Sequence, residues 1–148
     1  MKKRITALGL LWCLSAVMLQ AARVDTVLVR SVAMNKDVKV VYVLPDKAIG
    51  KQACPVVYLL HGYGGNARSW VQLKPELPQM ADEKGIIFVC PDGKNSWYWD
   101  SPENPAYRYE TFVTSELVKY TDGNYATIPD RKARAISGLS MGGLPSVD

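Results

Sequence analysis

Residues Ala133–Gly143 read ARAISGLSMGG, and their reading decides the fold. ARAIS, from Ala133 to Ser137, has the pattern of a short β-strand. It runs straight into GLSMG, Gly138 to Gly142, where a serine stands between two glycines. That spacing marks a nucleophile elbow. The glycines let the chain turn sharply from strand to helix, so the serine oxygen stands exposed at the sheet edge. As a bare five-residue pattern GLSMG also arises by chance; the β-type segment before it supplies the context that gives it meaning. Ser140 is the expected nucleophile. The N–H of Met141, directly after it, is one expected donor to the developing oxyanion.

Upstream, Pro55 to Leu60 (PVVYLL) and Ile86 to Cys90 (IIFVC) are continuous apolar runs bounded by turn residues. Such runs suit strands buried on both faces, as in a parallel sheet. Asp25–Met34 (DTVLVRSVAM) and Val38–Leu44 (VKVVYVL) alternate partially and are rich in Val, which predicts an initial β-hairpin with one buried face. Residues 45–53 read as a loop. Ser69 to Lys84 predicts one or two short helices, the second starting near Pro78 and stopping at Gly85. Tyr109, Phe112, Val113, Leu117 and Tyr120 then recur at helical spacing, and Asp122-Gly123-Asn124 ends that helix. Strands alternating with helices after a hairpin give an α/β fold with a largely parallel sheet. In such sheets the working loops gather at the carboxyl ends of the strands, which puts the loops after Leu60, Cys90 and Ser137 at one edge.

The loop after Leu60 is HGYGG, His61 to Gly65. A glycine-rich loop after an earlier central strand is the usual source of the second oxyanion donor, and Tyr63 is the residue whose N–H fits. His61 is the single histidine in the chain. In this position a histidine fixes loop shape by hydrogen bonding, so it is not expected to be the catalytic base. The loop after Cys90 carries SWYWDSP, Ser96 to Pro102. Its aromatics Trp97, Tyr98 and Trp99 are candidate substrate contacts, or else they roof the core. Asp92, Asp100 and Glu110 are acidic but precede the serine, against the order Ser, then Asp or Glu, then His.

A chain of 148 residues, 48% hydrophobic and 22% charged, allows one modest globular domain. Three of its four net positive charges sit on Lys2, Lys3 and Arg4. The remainder is close to neutral without a basic stripe, so no nucleic-acid partner is expected. Those three cations precede an uncharged run from Ile5 to Leu19 and then Gln-Ala-Ala, the pattern of a secretory signal cleaved after Ala21 or Ala22. About 15 apolar residues are short for a membrane span of about 20. A secreted or periplasmic location follows, with no stable membrane association after cleavage. Cys13 would leave with the signal. Cys54 opens one apolar run and Cys90 closes the next, so neighbouring parallel strands would hold them too far apart to bridge; both are expected as free, buried thiols.

LLHGYGG, a strand ending in PDG, NSWYWDSP, YRYETFVTSEL and ISGLSMGG follow one another between residues 25 and 143. Together they resemble the esterase D and S-formylglutathione hydrolase-like family, to which the antigen 85 mycolyltransferases and feruloyl esterases look related. The resemblance implies an α/β-hydrolase fold and carboxylic ester hydrolysis without metal or other cofactor. It also implies Ser140 as nucleophile, Tyr63 and Met141 as oxyanion donors, and a supporting role for Tyr109–Phe112. The substrate it implies is a small-molecule or polysaccharide ester. Such enzymes continue past GLSMGG to a later Asp or Glu and then a His. Here LPSVD follows, with Asp148 the one carboxylate residue after Ser140 and no histidine. The expectation is therefore a signal over residues 1–21 and a partial α/β-hydrolase domain over 22–148, the N-terminal half of the fold, truncated after the elbow and inactive as given. The alternatives are a non-catalytic carbohydrate-binding module and an acyltransferase of the mycolyltransferase type. Oligomeric state is open.

Overall fold

The computed structural model describes residues 22–143. The expected leader with Cys13, and Pro145 and Asp148 near the other end, lie outside the described residues. β1 (Arg23–Ser31) and β2 (Lys36–Leu44) pair antiparallel, with Arg23 opposite Leu44 and Ser31 opposite Lys36. β3 (Val56–Leu60), β4 (Ile87–Pro91) and β5 (Arg134–Gly138) complete a five-stranded sheet in the order β1-β2-β4-β3-β5. β4 runs antiparallel to β2 and parallel to β3, which is itself parallel to β5. This is the expected hairpin followed by parallel strands. One detail differs: from Val40 to Leu44, β2 is buried on both faces rather than one. The cause is its position, since β1 and β4 flank it and helices cover each side of the sheet.

Residues 45–53, read as a loop, contain the short helix α1 (Asp46–Ile49). One sheet face packs on α2 (Ser69–Leu73) and α3 (Leu77–Lys84) through Val41, Val43, Leu59 and Phe88 against Trp70, Leu77 and Ala81. α3 stops where its sequence predicts, because Gly85 takes a left-handed conformation at φ 63°. The opposite face, with Tyr42, Tyr58, Leu60 and Val89, receives the helical stretch from Tyr109. That stretch is not one α-helix. α4 (Tyr109–Thr111) passes into a π-helical turn over Phe112–Glu116 and then into α5 (Leu117–Asn124). Tyr109, Phe112, Val113 and Leu117 are all buried.

Val56 of β3 lies opposite Ile87 of β4. Cys54 therefore precedes the start of one strand while Cys90 sits near the end of its neighbour. Both are free and buried, and burial pushes the Cys90 thiol up to about 12. β3 and β5 run in register to their ends, with Leu60 opposite Gly138, so the loops HGYGG and GLSMGG leave the sheet side by side.

Candidate active site

At the end of β5 the chain enters a 3-10 turn over Ser140–Gly143. Ser140 has a φ of 49°, a left-handed conformation uncommon for a residue with a side chain. The flanking glycines make room for it. A Cβ on Gly138 would run into the Gly142 carbonyl, and one on Gly142 would stand 2.5 Å from the Leu60 carbonyl oxygen. The turn is closed by Gly142 N–H donating to the Leu139 carbonyl at 2.8 Å, and fastened to β3 by Leu139 N–H donating to Leu60 at 3.2 Å. The Met141 side chain is buried, while Ser140 is exposed at the sheet edge.

HGYGG lies against this turn. A Cβ on Gly62 would be 3.4 Å from the Leu139 carbonyl oxygen and 3.7 Å from Ser140 Cβ. The fold thus brings the Tyr63 and Ser140 loops together, as their register requires. Among the described residues, neither the Tyr63 N–H nor the Met141 N–H has a hydrogen-bond partner. Gly64 N–H, next along, is taken by the Asn95 side-chain oxygen at 2.8 Å. An arrangement with a serine oxygen and unpaired backbone donors at one edge is suited to holding the oxyanion of an acyl-transfer intermediate.

His61 is fully engaged in the loop. Its Nδ1 is 2.7 Å from the Gly62 carbonyl, which accepts only, so that nitrogen carries the proton. Its Nε2 accepts the Gly93 N–H at 3.0 Å. The ring is buried. Asp92 is 3.6 Å from Nε2 and receives both the ammonium and the backbone N–H of Lys94 at 2.9 Å. Burial pushes the Asp92 carboxyl up; the ammonium and the backbone N–H of Lys94, both donating to it, outweigh burial and hold the carboxyl well below the usual carboxylate range. This network joins the loops after β3 and β4 into one support.

The three aromatics expected as substrate contacts part company. Trp97 and Trp99 are about half exposed, at 47% and 51%, and Trp97 pairs with the exposed Tyr63 ring at 6.2 Å. Tyr98 instead is 3% exposed, and its hydroxyl accepts the His61 N–H at 3.0 Å. It is a strut beneath HGYGG rather than an open wall. Trp97 and Tyr98 have φ of 58° and 53°, and this left-handed pair turns consecutive rings to opposite sides. Alternation in the sequence carries no mark of that reversal. Asp100 caps the helix start by accepting from Thr111 N–H at 3.0 Å and Thr111 Oγ1 at 2.5 Å. The roles of Asn95 and Lys94 were also invisible in the sequence, because both depend on contacts between separate loops.

Known proteins similar to this chain share its fold. The family described as "Putative esterase" matches residues 31–147. An acetyl esterase of Caldicellulosiruptor saccharolyticus is 28% identical over 118 residues, covering 74% of this chain and 44% of that one. An endo-1,4-beta-xylanase/feruloyl esterase of Xylanibacter ruminicola is 38% identical over 104 residues, 64% of this chain and 14% of that protein. The solved S-formylglutathione hydrolase of Agrobacterium tumefaciens superposes with a TM-score of 0.71 at 25% identity, covering 84% of this chain and 53% of the other. The chain therefore spans about half the length of the acetyl esterase and of the solved hydrolase.

Proposed function

The chain belongs to the esterase family, and from that premise we propose that Ser140 is the nucleophile of a serine carboxylic-ester hydrolase. The observation that carries the reading is the left-handed Ser140, held exposed at the end of β5 with HGYGG packed against it. Ser140 Oγ attacks the ester carbonyl carbon and loses its proton to a base. The Tyr63 and Met141 N–H groups receive the oxyanion. The tetrahedral intermediate collapses to an acyl-serine as the alcohol leaves with a proton, and water then releases the acid. Exposed Trp97 and Trp99 would flank the acyl or alcohol part, which suits small acyl or carbohydrate-linked esters.

The base is the part that these residues do not supply. His61 is the one histidine, and both its ring nitrogens are committed to Gly62 and Gly93. The 148-residue chain by itself is expected to hydrolyse p-nitrophenyl acetate at a negligible rate. Joining residues 22–143 to the C-terminal part of the acetyl esterase relative should restore turnover, and Ser140→Ala should then lower kcat by about 10⁴-fold or more. A chimera whose activity survives Ser140→Ala overturns the assignment. Binding of xylo-oligosaccharide that weakens in Trp97→Ala or Trp99→Ala, by a chimera that does not turn over p-nitrophenyl acetate, would favour a carbohydrate-binding role instead.

Export is part of the same reading. The cationic start and the apolar run Ile5–Leu19 support cleavage at Ala21 or Ala22. Mass spectrometry of the protein from the culture medium or periplasm should find a mature start at Ala22 or Arg23; an intact Met1 start in the cytoplasm contradicts it.

A further inference from the structure

Two tight turns meet beside the elbow. In the loop after β3, Gly65 N–H donates to the Gly62 carbonyl at 3.1 Å, and Gly64 has a φ of 77°. Those are the marks of a type II turn with Tyr63 and Gly64 at its tip. In the loop after β4, Ser96 N–H donates to the Gly93 carbonyl at 3.2 Å, which places Lys94 and Asn95 at the tip. His61 ties the bases of the two turns. Its Nδ1–H donates to the Gly62 carbonyl at 2.7 Å, and its Nε2 accepts the Gly93 N–H at 3.0 Å. Asn95 ties the tips, its side-chain oxygen accepting the Gly64 N–H at 2.8 Å.

Each tie fixes one peptide plane. The Gly62 carbonyl and the Tyr63 N–H belong to one trans peptide and point in opposite directions. His61 and Gly65 hold that carbonyl, so the Tyr63 N–H is turned away from both and has no partner among the described residues. The next plane carries the Tyr63 carbonyl and the Gly64 N–H. Its orientation is what separates a type I from a type II turn, and a flip would take Gly64 out of positive φ. Asn95 holds it on the type II side. Trp97, two residues on, meets the Tyr63 ring at 6.2 Å, so one short segment grips both the backbone and the side chain of the turn.

We propose that Asn95 is a positioning residue for oxyanion stabilisation. By engaging the Gly64 N–H it locks the tip of HGYGG, and the neighbouring Tyr63 N–H keeps one direction. A donor stabilises a transition state to the extent that it is fixed beforehand, so a turn free to flip is a weaker oxyanion site. This role rests on the esterase reading; the hydrogen bond that carries it does not, so the two can fail separately.

The first test is amide exchange by NMR on the full chain labelled with ¹⁵N. Gly64 N–H should exchange about ten-fold faster in Asn95→Ala than in wild type, and Asn95→Asp, which keeps an acceptor, should restore the protection. Asn95 is exposed, so neither variant disturbs the core. The second test is turnover of p-nitrophenyl acetate by the chimera carrying residues 22–143. There Asn95→Ala should lower kcat about ten-fold with KM within about two-fold, and Asn95→Asp should recover part of the loss. Equal Gly64 exchange in wild type and Asn95→Ala overturns the proposal, whether or not the chimera turns over. So does an unchanged kcat, or a loss confined to KM, in an active chimera. A parent chimera without Ser140-dependent turnover is instead a failure of the esterase reading, and the exchange result stands apart from it.

Discussion

Ser140 adopts its φ of 49° because the residues around it leave one path for the chain. Gly138 and Gly142 have no side chains to obstruct the close approach of the turn to β3, and Leu139 N–H is already bonded to Leu60. A left-handed non-glycine residue costs on the order of 1–3 kcal/mol, which its surroundings must offset. Part of that surrounding support is the His61–Asp92–Lys94 network, and it is sensitive to acid. Asp92 has a folded-state pKa held below its unfolded value, so its contribution is complete above about pH 4 and is lost as pH falls from there. Thermal melts of wild type and Asp92→Asn between pH 6 and pH 2 should show it. The variant is expected to be less stable at pH 6 and to lose less stability than wild type on acidification; parallel curves would contradict the linkage.

Among the elements, the π-helical turn Phe112–Glu116 has a defined task. The Glu116 carboxylate accepts from Ser31 Oγ at 2.6 Å and from Ala33 N–H at 2.8 Å. Ser31 Oγ in turn accepts the Met34 N–H at 3.1 Å. One carboxylate thus clasps the turn between β1 and β2 to the helical layer across 83 residues of sequence. Replacing it leaves the buried Ser31 hydroxyl without its acceptor, at a cost of about 1–3 kcal/mol, while the exposed Ala33 N–H can turn to water. Glu116→Ala should lower the urea midpoint by a corresponding amount with the slope unchanged, and Glu116→Gln should recover part of the loss. The helix itself was readable from its apolar spacing. The π turn was not, because only the fit of Phe112, Val113 and Leu117 against the sheet and of Glu116 against the hairpin selects it.

For the whole molecule, β5 is the terminal strand of the sheet among the described residues. Its Ala135 and Ser137 are exposed, and beside it Tyr58, Val113, Val118 and Ile136 line a concavity of about 540 Å³. There the buried Tyr58 hydroxyl and Arg134 Nε have no hydrogen-bond partner among the described residues. An unpaired strand edge beside an apolar face recruits other chains. The 148-residue chain is expected to self-associate at micromolar concentration in light scattering. Ala135→Lys should raise the monomer fraction, and an unchanged mass distribution would argue against β5 as the contact. By itself the sequence determined the hairpin, the buried runs of β3 and β4, and the elbow at Ser140. Apolar runs, turn residues and glycine spacing are local constraints that any compact form of the chain must respect. It also joined HGYGG with Ser140, since parallel strands of matched length end together. Tertiary structure alone decided that Tyr98 points inward while Trp97 and Trp99 stay exposed, that His61 is held by Gly62 and Gly93, and that Glu116 reaches the turn between β1 and β2. Those outcomes depend on left-handed backbone turns and on contacts between loops distant in sequence, and local pattern carries no information about either.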